Sequence, residues 1–474
     1  MLTQELTVVK EKTRPDKEAV ENFKSKLRGG VYLPGESGYE QARSIWNGMI
    51  ERRPEWVARC TGVADVIAAV NFARDNDLLL SVRGGGHNVA GSAVGEGGLM
   101  IDLSLMRGIH VDPKKRIARV QPGINWGDLD RETQLFGLAA PGGIVSATGV
   151  AGLTLGGGFG WLSRKHGLTS DSLLSADVVL ADGRFVKASP TENADLFWGL
   201  RGGGGNFGIV TSFEFQLQPL GPEVMAGLIL YPFEDAREVL EFYRDFSASA
   251  PAELGTMAVL RIAPPAPFLP KHVHGQPVVG IGVCYAGSVE DGIAVVRSLK
   301  EFGSPLVDLV APKPYVAHQT MLDAASPSGR RYYWKSEYLA ELSDGARKTL
   351  LDYSARLSSP MTAVLVFQLG GAISQVAEPE TAAGNREAAY VLNIQSAWEE
   401  PAQTDKHIEW TRTFWRAMQP FASGGVYVNF LSEGEGEARI RAAYPGSYER
   451  LVDLKNRYDP TNLFRLNQNI KPTV

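Results

Sequence analysis

The sequence predicts an α+β fold with more than one domain, and three observations lead to this prediction. The chain has 474 residues, which is too long for one ordinary hydrophobic core. Between residues 56 and 220, short strand-like and helix-like segments alternate around clusters of glycine. Residues 225–425 differ, because long strand-like runs alternate there with amphipathic helices. That second pattern is typical of an antiparallel sheet covered by helices.

The first half of the chain divides into short elements. Residues 1–45 are predicted to be mostly helical, and a strand, a helix and a second strand follow from Trp56. In that helix Val63, Ile67 and Val70 mark one buried face at helical spacing. The remaining predicted elements are the strand GGLMIDL, a hairpin turned at Asp112-Pro113, a helix over 125–137, a hairpin turned at Asp182-Gly183, and a strand ending near residue 220.

The second half is predicted to contain longer elements. Its strand-like runs are AGLILYPF, TMAVLRI, VVGIGVCYAG, AVLVFQLGGAI and AYVLNIQSAW. Helices are predicted over EDAREVLEFYRDF, over a segment that ends at Phe302, and over 403–418. The buried side of the last helix is predicted to consist of Ile408, Thr411, Trp415 and Met418. The final 45 residues are predicted to be turn-rich and to return to the first half.

Composition and charge exclude several classes of protein. The net charge is −5 without a block of like charges, so neither a nucleic acid nor a membrane surface is an expected partner. No run of about 18 apolar residues predicts a membrane span, and the polar start lacks the apolar part of a secretory signal. Cys60 and Cys284 lie in apolar, strand-like stretches and are predicted to be buried free thiols. We therefore expect a cytoplasmic protein, and the sequence carries no pattern that predicts an oligomeric state.

Glycine is concentrated in clusters before residue 210. The first cluster follows a strand-like run and consists of Arg83, Gly84, Gly85, Gly86, His87 and Asn88. Three glycines allow the backbone to approach a ligand closely, and their N–H groups can point at an anion. Arg83 adds positive charge. The pattern is typical of a turn that binds a diphosphate, although a tight turn without a ligand has the same signature.

The second cluster, residues 142–160, contains seven glycines between positions 142 and 158. Such a density destabilises a regular helix or strand through backbone entropy. Isoleucine, valine, leucine and phenylalanine are interleaved with the glycines and favour burial. The segment is therefore predicted to wrap a large flat ligand rather than to form an exposed flexible loop.

The third cluster, residues 201–208, formally matches G-x-G-x-x-G from Gly203 to Gly208. A dinucleotide fingerprint follows a strand and opens a helix, whereas here a helix-like stretch precedes the glycines and a strand follows them. A Rossmann NAD site is therefore excluded. Among seven histidines, His87 stands out because it ends a triple glycine at the tip of a strand. His272 and His274 have no carboxylate or thiol cluster around them, so we predict no metal site.

Four motifs together resemble a known family. They are RGGGHN, GGIVSATGVAGLTLGGGFGWLSRKHGLTSD, VVLADGRFVKASPTENADLFWGLRGGGGNFGIVTSFEF and the terminal YDPTNLFRLNQNIKP. In this order they are similar to the FAD-linked oxidases related to berberine bridge enzyme, within the vanillyl-alcohol-oxidase or PCMH-type superfamily. The resemblance implies FAD and a PCMH-type FAD-binding domain of two α/β subdomains, formed by residues 1–222, with a core over 52–220, and by residues 425–474. Residues 223–424 are then an inserted substrate domain of antiparallel sheet covered by helices.

The resemblance also implies a covalent link to the flavin. In this family the histidine of the first motif bonds the 8α-methyl group, and His87 holds that position. A neutral imidazole is a competent nucleophile near neutral pH. Many relatives have a second link from a cysteine, but Val145 occupies that position, so we expect a single link through His87. Thr148 falls where the family controls the access of oxygen to the ring.

Other site residues follow from the resemblance by position. Those expected to contact the cofactor are Gly149, Gly152, Gly157, Gly160, Ile209, Val210, Tyr427, Asn429, Asn467 and Asn469. Tyr427 is either a ring packed under the flavin or a phenol that accepts the substrate proton. Glu380 lies where relatives often have Glu-x-x-Phe-Pro-His-Arg, and it is either a catalytic base or an exposed loop carboxylate. Strand alternation places Asn393 and Gln395 on one side, which predicts a polar substrate pocket.

Three functions are compatible with these residues. In an oxidase, a small alcohol, sugar or amine gives hydride to the flavin N5 while a base takes a proton, and O2 reoxidises the flavin to give hydrogen peroxide. The expected partners are then a small-molecule substrate and O2. A dehydrogenase that passes electrons to a carrier, and a flavin-binding protein without turnover, are the alternatives. The presence of His87 together with all the glycine clusters favours an enzyme.

Overall fold

The computed structural model describes residues 15–474, so the start of the predicted helical lead-in lies outside the described residues. The strands are β1 (Val31–Tyr32), β2 (Trp56–Arg59), β3 (Leu80–Arg83), β4 (Leu99–Asp102), β5 (Ile109–Asp112), β6 (Ile117–Val120), β7 (Leu138–Ala139), β8 (Leu173–Val179), β9 (Phe185–Ala188), β10 (Ile209–Gln216), β11 (Gln218–Pro219), β12 (Glu223–Pro232), β13 (Leu254–Ile262), β14 (Pro277–Tyr285), β15 (Val307–Asp308), β16 (Ala311–Pro314), β17 (Arg331–Leu339), β18 (Ala363–Gln368) and β19 (Tyr390–Trp398). The helices are α1 (Lys17–Lys26), α2 (Tyr39–Arg43), α3 (Val63–Asp75), α4 (Trp126–Gln134), α5 (Val150–Leu155), α6 (Ser163–His166), α7 (Ala194–Leu200), α8 (Ala236–Ser249), α9 (Val289–Val295), α10 (Arg297–Lys300), α11 (Tyr315–Gln319), α12 (Asp344–Ser354), α13 (Ala372–Gln375), α14 (Thr404–Met418), α15 (Glu437–Ala443) and α16 (Tyr448–Tyr458).

The first sheet has the order β1-β2-β4-β3, in which β2, β4 and β3 run parallel. Helix α3 connects β2 to β3, and α1 covers it, with the rings of Phe23 and Phe72 stacked at 4.2 Å. Because α3 packs on both sides, its buried residues include Val66 and Val70, whereas the predicted Val63 and Ile67 are only partly buried. The predicted helix is thus confirmed, but its buried residues extend beyond the single face that the spacing predicted.

The second sheet is antiparallel, with the order β5-β6-β10-β8-β9. Its two hairpins, β5 with β6 and β8 with β9, confirm the turns predicted at residues 112–113 and 182–183. Trp126 of α4 is fully buried and packs near Phe215 of the central strand β10. The second and third glycine clusters also pack against this core.

The third and largest sheet is antiparallel, with the order β15-β12-β14-β13-β18-β19-β17, and β16 also pairs with β12. Helices α8, α12 and α14 cover one face, against which Leu260, Val366 and Ile394 are buried. The other face, which carries Val259 and Leu365, is turned toward the glycine-rich segments. The sheet thus presents alternate residues of each strand to the first half of the chain.

Strand β17 is an element that the sequence did not predict. Its sequence, RYYWKSEYL, places charged residues between aromatic ones and hides the usual apolar pattern. Lys335 and Glu337 are buried nonetheless, because Lys335 pairs with Glu435 at 2.5 Å and Glu337 pairs with Arg439 at 2.6 Å. These partners lie about a hundred residues further along the chain, where local sequence reasoning does not reach.

Two of the predicted helices differ in detail. The helix expected to end at Phe302 is divided into α9 and α10. In α14 the buried residues are His407, Thr411, Phe414 and Met418, whereas the predicted Ile408 and Trp415 are only partly buried. Within residues 15–474, no helix has both the length and the apolar character needed to cross a bilayer.

The C-terminal segment is more helical than predicted, because it contains α15 and α16. Lys455 of α16 is fully buried, and its ammonium group donates to the carbonyl oxygens of Asn206 and Phe464, both at 2.9 Å. It also pairs with Asp459 at 2.7 Å. Asn206 belongs to the third glycine cluster, so the hydrogen bond from Lys455 connects the C-terminal segment to that cluster. Domain boundaries after residues 222 and 424 are a division that we propose.

Replacing Lys455 with methionine tests this fastening. The variant leaves the buried Asp459 carboxylate without its counterion, which typically costs about 3–5 kcal/mol. We expect a clear fall in the midpoint of thermal unfolding, measured by circular dichroism. The control is Lys471→Met, at an exposed lysine that pairs with Glu437 at 3.4 Å, where the expected loss is below about 1 kcal/mol. Equal stability of the two variants would contradict the role given to Lys455.

Candidate active site

A cavity lies between the glycine-rich segments and the large sheet. Its walls come from the three glycine clusters, from the C-terminal segment, and from the face of β13, β18, β19 and β17 that is turned away from the covering helices. The empty space inside the cavity and at its open mouth amounts to about 2150 Å³. Among the described residues that line it there is no Asp or Glu, and the ionisable ones are His87, Arg261, Tyr332 and Tyr427.

His87 enters the cavity from the turn that follows β3. Gly86 allows this turn, because its φ of 68° lies in the left-handed region that favours glycine. The imidazole stacks on Trp46 with 4.2 Å between ring centroids, and Trp46 stacks on Tyr332 at 3.8 Å. The Nε2 atom of His87 is buried and has no hydrogen-bond partner. Burial lowers the pKa of His87 to about 4, so the ring is neutral at neutral pH.

Arg83 does not face the cavity, and the structure corrects its predicted contact with a ligand. Its guanidinium donates to Asp102 through Nε at 2.9 Å and through Nη2 at 2.7 Å, and to the carbonyl oxygen of Ser44 at 2.7 Å. The Asp102 carboxylate is fully buried, so it needs this positive charge. The rest of the predicted turn does line the cavity, namely Gly84, Gly85, Gly86, His87 and Asn88.

The first and second glycine clusters meet through bare backbone. A Cβ atom added to Gly85 would lie 2.4 Å from the Cα of Gly149, and one added to Gly149 would lie 2.6 Å from the Cα of Gly85. No side chain fits at such distances, so both positions require glycine. The contact holds the turn of His87 against the loop of Thr148, and both of these residues line the cavity.

Two further glycines in the wall face open space. A Cβ atom added to Gly152 or to Gly205 would meet no atom within 4 Å, and both glycines line the cavity. A flat ligand that lies on the backbone requires space of this kind. Gly157 and Gly160 do not line the cavity, and their cofactor contacts stay a prediction. Gly160 instead packs on the backbone of Gly142, whose carbonyl oxygen would lie 2.1 Å from an added Cβ atom.

The third glycine cluster, residues 201–208, also contributes to the wall of the cavity. Helix α7 precedes it and β10 follows it, which confirms the reversed order on which the exclusion of a Rossmann site rests. Ile209 and Val210 line the cavity with the cluster's Gly204, Gly205 and Gly208. Asn467 also lines it and donates to the carbonyl oxygen of Gly205 at 3.1 Å. Asn469 lies outside the lining, and its cofactor contact stays a prediction.

Tyr427 and Asn429 form a hydrogen-bonded pair in the wall. The Nδ2 of Asn429 donates to the phenolic oxygen of Tyr427 at 2.8 Å, and the Tyr427 ring packs against Phe159 with 4.8 Å between centroids. Burial raises the pKa of Tyr427, so the phenol is protonated at neutral pH. Both residues line the cavity, as predicted from the sequence.

Glu380 is the clearest correction among the predicted catalytic residues. It lies on an exposed turn over 378–380, outside the lining of the cavity. Its backbone carbonyl accepts a hydrogen bond from Arg201 at 2.6 Å, which fixes the turn rather than any substrate. The exposed-carboxylate interpretation of Glu380 therefore replaces the catalytic one.

The sheet contributes a cross-strand row that sequence reasoning largely missed. Arg261 pairs in register with Ala363, Ala363 with Gln395, and Gln395 with Trp334, and all four line the cavity. Of these four residues, strand alternation predicted only Gln395. The predicted partner Asn393 is fully buried on the adjacent row and does not line the cavity. Alternation within β13 was the one signal that could have pointed to Arg261.

Neither cysteine lines the cavity. Val145 lines the cavity at the expected cysteine position, whereas Cys60 and Cys284 are buried free thiols in separate cores, as predicted. Within residues 15–474, no group of three or more His, Cys, Asp or Glu side chains could hold a metal ion. A neutral histidine over a cradle of bare backbone thus defines a protein that holds a large, flat organic cofactor.

Comparisons with known proteins identify that cofactor and the family. Residues 54–189 match the model of an FAD binding domain, and residues 426–471 match the berberine and berberine-like model. The chain is 31% identical to an FAD-linked oxidoreductase of Dictyostelium discoideum over 96% of this chain and 97% of that protein. It is 32% identical to (R)-6-hydroxynicotine oxidase of Paenarthrobacter nicotinovorans, with 94% and 97% covered.

A solved structure agrees with this assignment. The crystal structure of 6-hydroxy-D-nicotine oxidase from Arthrobacter nicotinovorans superposes with a TM-score of 0.85 at 30% identity, over 94% of this chain and 98% of that one. The chain belongs to the FAD-linked oxidoreductases related to berberine bridge enzyme, and it is an enzyme with a PCMH-type FAD-binding domain.

A pair of glycine variants tests the cradle. Gly149→Ala forces a Cβ atom against the Gly85 backbone, and overpacking of this kind costs about 1–3 kcal/mol. Gly152→Ala adds the same atom in open space, so we expect an undiminished melting temperature for the flavin-free protein but a lower flavin content. Calorimetry and the ratio of flavin to protein absorbance measure the two effects. A full flavin content in Gly152→Ala would show that no ligand lies on this glycine.

Proposed function

We propose that this protein is an FAD-dependent oxidase whose flavin is attached by a single covalent bond to His87. The observation that carries the proposal is the buried, unpartnered Nε2 of His87 beside the glycine cradle. A buried nitrogen without a partner is unfavourable unless something absent from the polypeptide satisfies it. The similarity to a protein named as an oxidase supports the same conclusion.

The lowered pKa of His87 suits it to form that bond. Because the pKa is about 4, the imidazole is neutral at neutral pH and its Nε2 lone pair is available. If FAD were bound, His87 would hold it through this nitrogen. The bond would replace the imidazole N–H hydrogen and one hydrogen of the 8α-methyl group, and O2 would accept the two protons and two electrons as hydrogen peroxide. Stacking on Trp46 holds the ring in place for this reaction.

The chain's own residues then orient a small organic substrate against the cofactor. When bound, FAD supplies the hydride acceptor and passes two electrons to O2. Trp334 and Phe430 provide an apolar surface, their rings 5.5 Å apart, and Gln395 provides an amide for a polar substrate group. The substrate proposed is an alcohol, a sugar or an amine that fits between these side chains.

Tyr427 is the candidate for accepting the substrate proton, since no Asp or Glu lines the described cavity. Burial raises its pKa, whereas the hydrogen bond from Asn429 and the neighbouring N–H groups of Gly158 and Phe159 favour the phenolate. A phenolate formed in this setting is a strong base. Proton transfer to Tyr427 therefore becomes easier as the pH rises.

His87→Ala tests the covalent link. After denaturation in acid, we expect the yellow colour to precipitate with the wild type and to remain in solution with the variant. Mass spectrometry of the intact wild-type chain should show the added mass of FAD. His166→Ala is the matched control, because His166 also has a buried Nε2 and a pKa lowered to about 4 but lies outside the cavity. A wild-type chain without added mass would falsify the link.

The same preparation tests the choice of O2 as acceptor. The flavin of the wild-type protein is reduced by light and then mixed with air. We expect fast reoxidation with release of hydrogen peroxide. Slow reoxidation that accelerates with a quinone would instead identify a dehydrogenase.

Tyr427→Phe tests the proton acceptor. With a substrate found by peroxide release from a panel of alcohols, sugars and amines, we expect kcat to fall about 100-fold or more. In the wild type kcat should rise with pH into the alkaline range, because the raised pKa of Tyr427 means that the phenolate forms only there. The Tyr427→Phe variant should lose this rise. Tyr444→Phe is the control, since Tyr444 is buried outside the cavity with an unpartnered hydroxyl. An unchanged pH profile in Tyr427→Phe would assign the proton to another acceptor.

A further inference from the structure

Arg261 is the charged group of the cavity whose role the proposed function does not explain. It lies on β13, at the end of the cross-strand row that continues through Ala363 and Gln395 to Trp334. Neighbouring strands are about 4.8 Å apart, so three steps place Arg261 about 14 Å along the sheet from Trp334. Trp334 lies edge-on to Trp46, which stacks on His87. Arg261 is therefore at the opposite end of the row from the proposed covalent link.

The guanidinium of Arg261 has no carboxylate partner among residues 15–474. Its Nε donates to the carbonyl oxygen of Ile262 at 3.2 Å, and neither Nη1 nor Nη2 has a partner in the same range. The cavity offers none, because no Asp or Glu of the described chain lines it. His87 is neutral, so the cavity wall carries one uncompensated positive charge.

Two other enclosed arginines of this protein have oxygen partners within the fold. Arg164 donates to the carbonyl oxygens of Leu254 at 3.0 Å and of Leu369 at 2.5 Å. Arg386 forms two hydrogen bonds to the Asp171 carboxylate, at 3.0 and 2.7 Å. Arg261 departs from this pattern although burial and the like charge of Arg330 both lower its pKa. Such a charge is unfavourable unless a ligand of opposite charge binds to it.

We infer that Arg261 binds the carboxylate of the substrate, so the substrate is a small carboxylic acid with an apolar body. The planar guanidinium fork matches a carboxylate with two parallel hydrogen bonds. The surrounding wall is apolar, with Val259, Leu365 and Met361 beside the row, and it fits a hydrocarbon or aromatic body. This inference rests on the proposed function for the reaction itself, and it narrows the substrate of that reaction.

The second anion that Arg261 could meet is the diphosphate or the ring of FAD. The glycine clusters form a part of the wall that does not come from the sheet, and their backbone N–H groups are available to the cofactor. Arg261 lies on the sheet, on the row that also holds Gln395 and Trp334. Its position thus favours the substrate, and an experiment can separate the two anions.

The test is a titration of the flavin-containing protein with benzoate and with benzamide, which share a ring but differ in charge. Changes in the flavin absorbance report binding. We expect benzoate to bind the wild type about tenfold or more tightly than benzamide, as a charge-assisted pair provides. Arg261→Gln should abolish this preference and Arg261→Lys should retain part of it. Arg184→Gln, at an exposed arginine paired with Asp182, is the control and should behave as the wild type.

Thermal unfolding tests whether the role of Arg261 is only structural. Because Arg261→Gln removes an unpaired charge, we expect its ligand-free melting temperature to equal or exceed that of the wild type. A lower melting temperature with an unchanged benzoate preference would overturn the inference. So would equal binding of benzoate and benzamide to the wild type, or a variant that loses flavin while its benzoate preference persists, since Arg261 would then serve FAD.

The outcome is independent of the proposed oxidase reaction. If the purified protein contains no flavin, the proposed function fails, but the shift of the melting temperature by benzoate against benzamide still measures the carboxylate preference. If peroxide forms from neutral substrates only, and benzoate shows no preference, the oxidase stands and the inference about Arg261 falls. A preference for benzoate that is lost in Arg261→Gln supports the inference in either case.

Discussion

The contact between Gly85 and Gly149 is the constraint on which the rest of the site depends. A Cβ atom on either residue would lie 2.4 to 2.6 Å from the Cα of the other, so two backbone segments from different parts of the chain touch without side chains between them. That contact sets where the turn after β3 ends and how His87 meets the stack of Trp46 and Tyr332. The glycines at this contact are therefore required because the two backbones approach closely, and not because the chain must be flexible.

A second level of organisation comes from buried side chains that connect distant segments. A hydrogen bond from Lys455 joins the C-terminal segment to the third glycine cluster, and an ion pair joins Arg386, in the loop after β18, to Asp171, which follows the second cluster. Each contact brings two distant segments together, and the Lys455 and Arg386 side chains are both buried. The large sheet is thereby held over the glycine-rich segments, and the cavity is the space that this arrangement leaves.

The electrostatics of the cavity follow from which charges the fold satisfies. Arg83 is neutralised by Asp102, so the first cluster presents backbone and a neutral imidazole instead of a cation. Tyr427 keeps its proton at neutral pH, because burial disfavours the phenolate. Arg261 is the remaining fixed charge in the lining. The described cavity lining therefore combines neutral polar groups with one fixed positive charge, and no carboxylate of the lining cancels that charge.

Local sequence determined the elements whose information is contained within a few residues. The hairpins at 112–113 and 182–183, the helix–glycine–strand order around residues 201–208 and the turn of His87 follow from backbone preference and periodicity, and resemblance of the motifs added the cofactor. Tertiary structure decided whatever depends on distant partners. Strand β17 escaped prediction because its charges are paired far along the chain, Arg83 and Glu380 were assigned to a site that they do not face, and Arg261 gained its meaning only when the cavity around it proved to contain no carboxylate. Periodicity reports which face of an element is buried, but the packing of whole segments determines what that face meets.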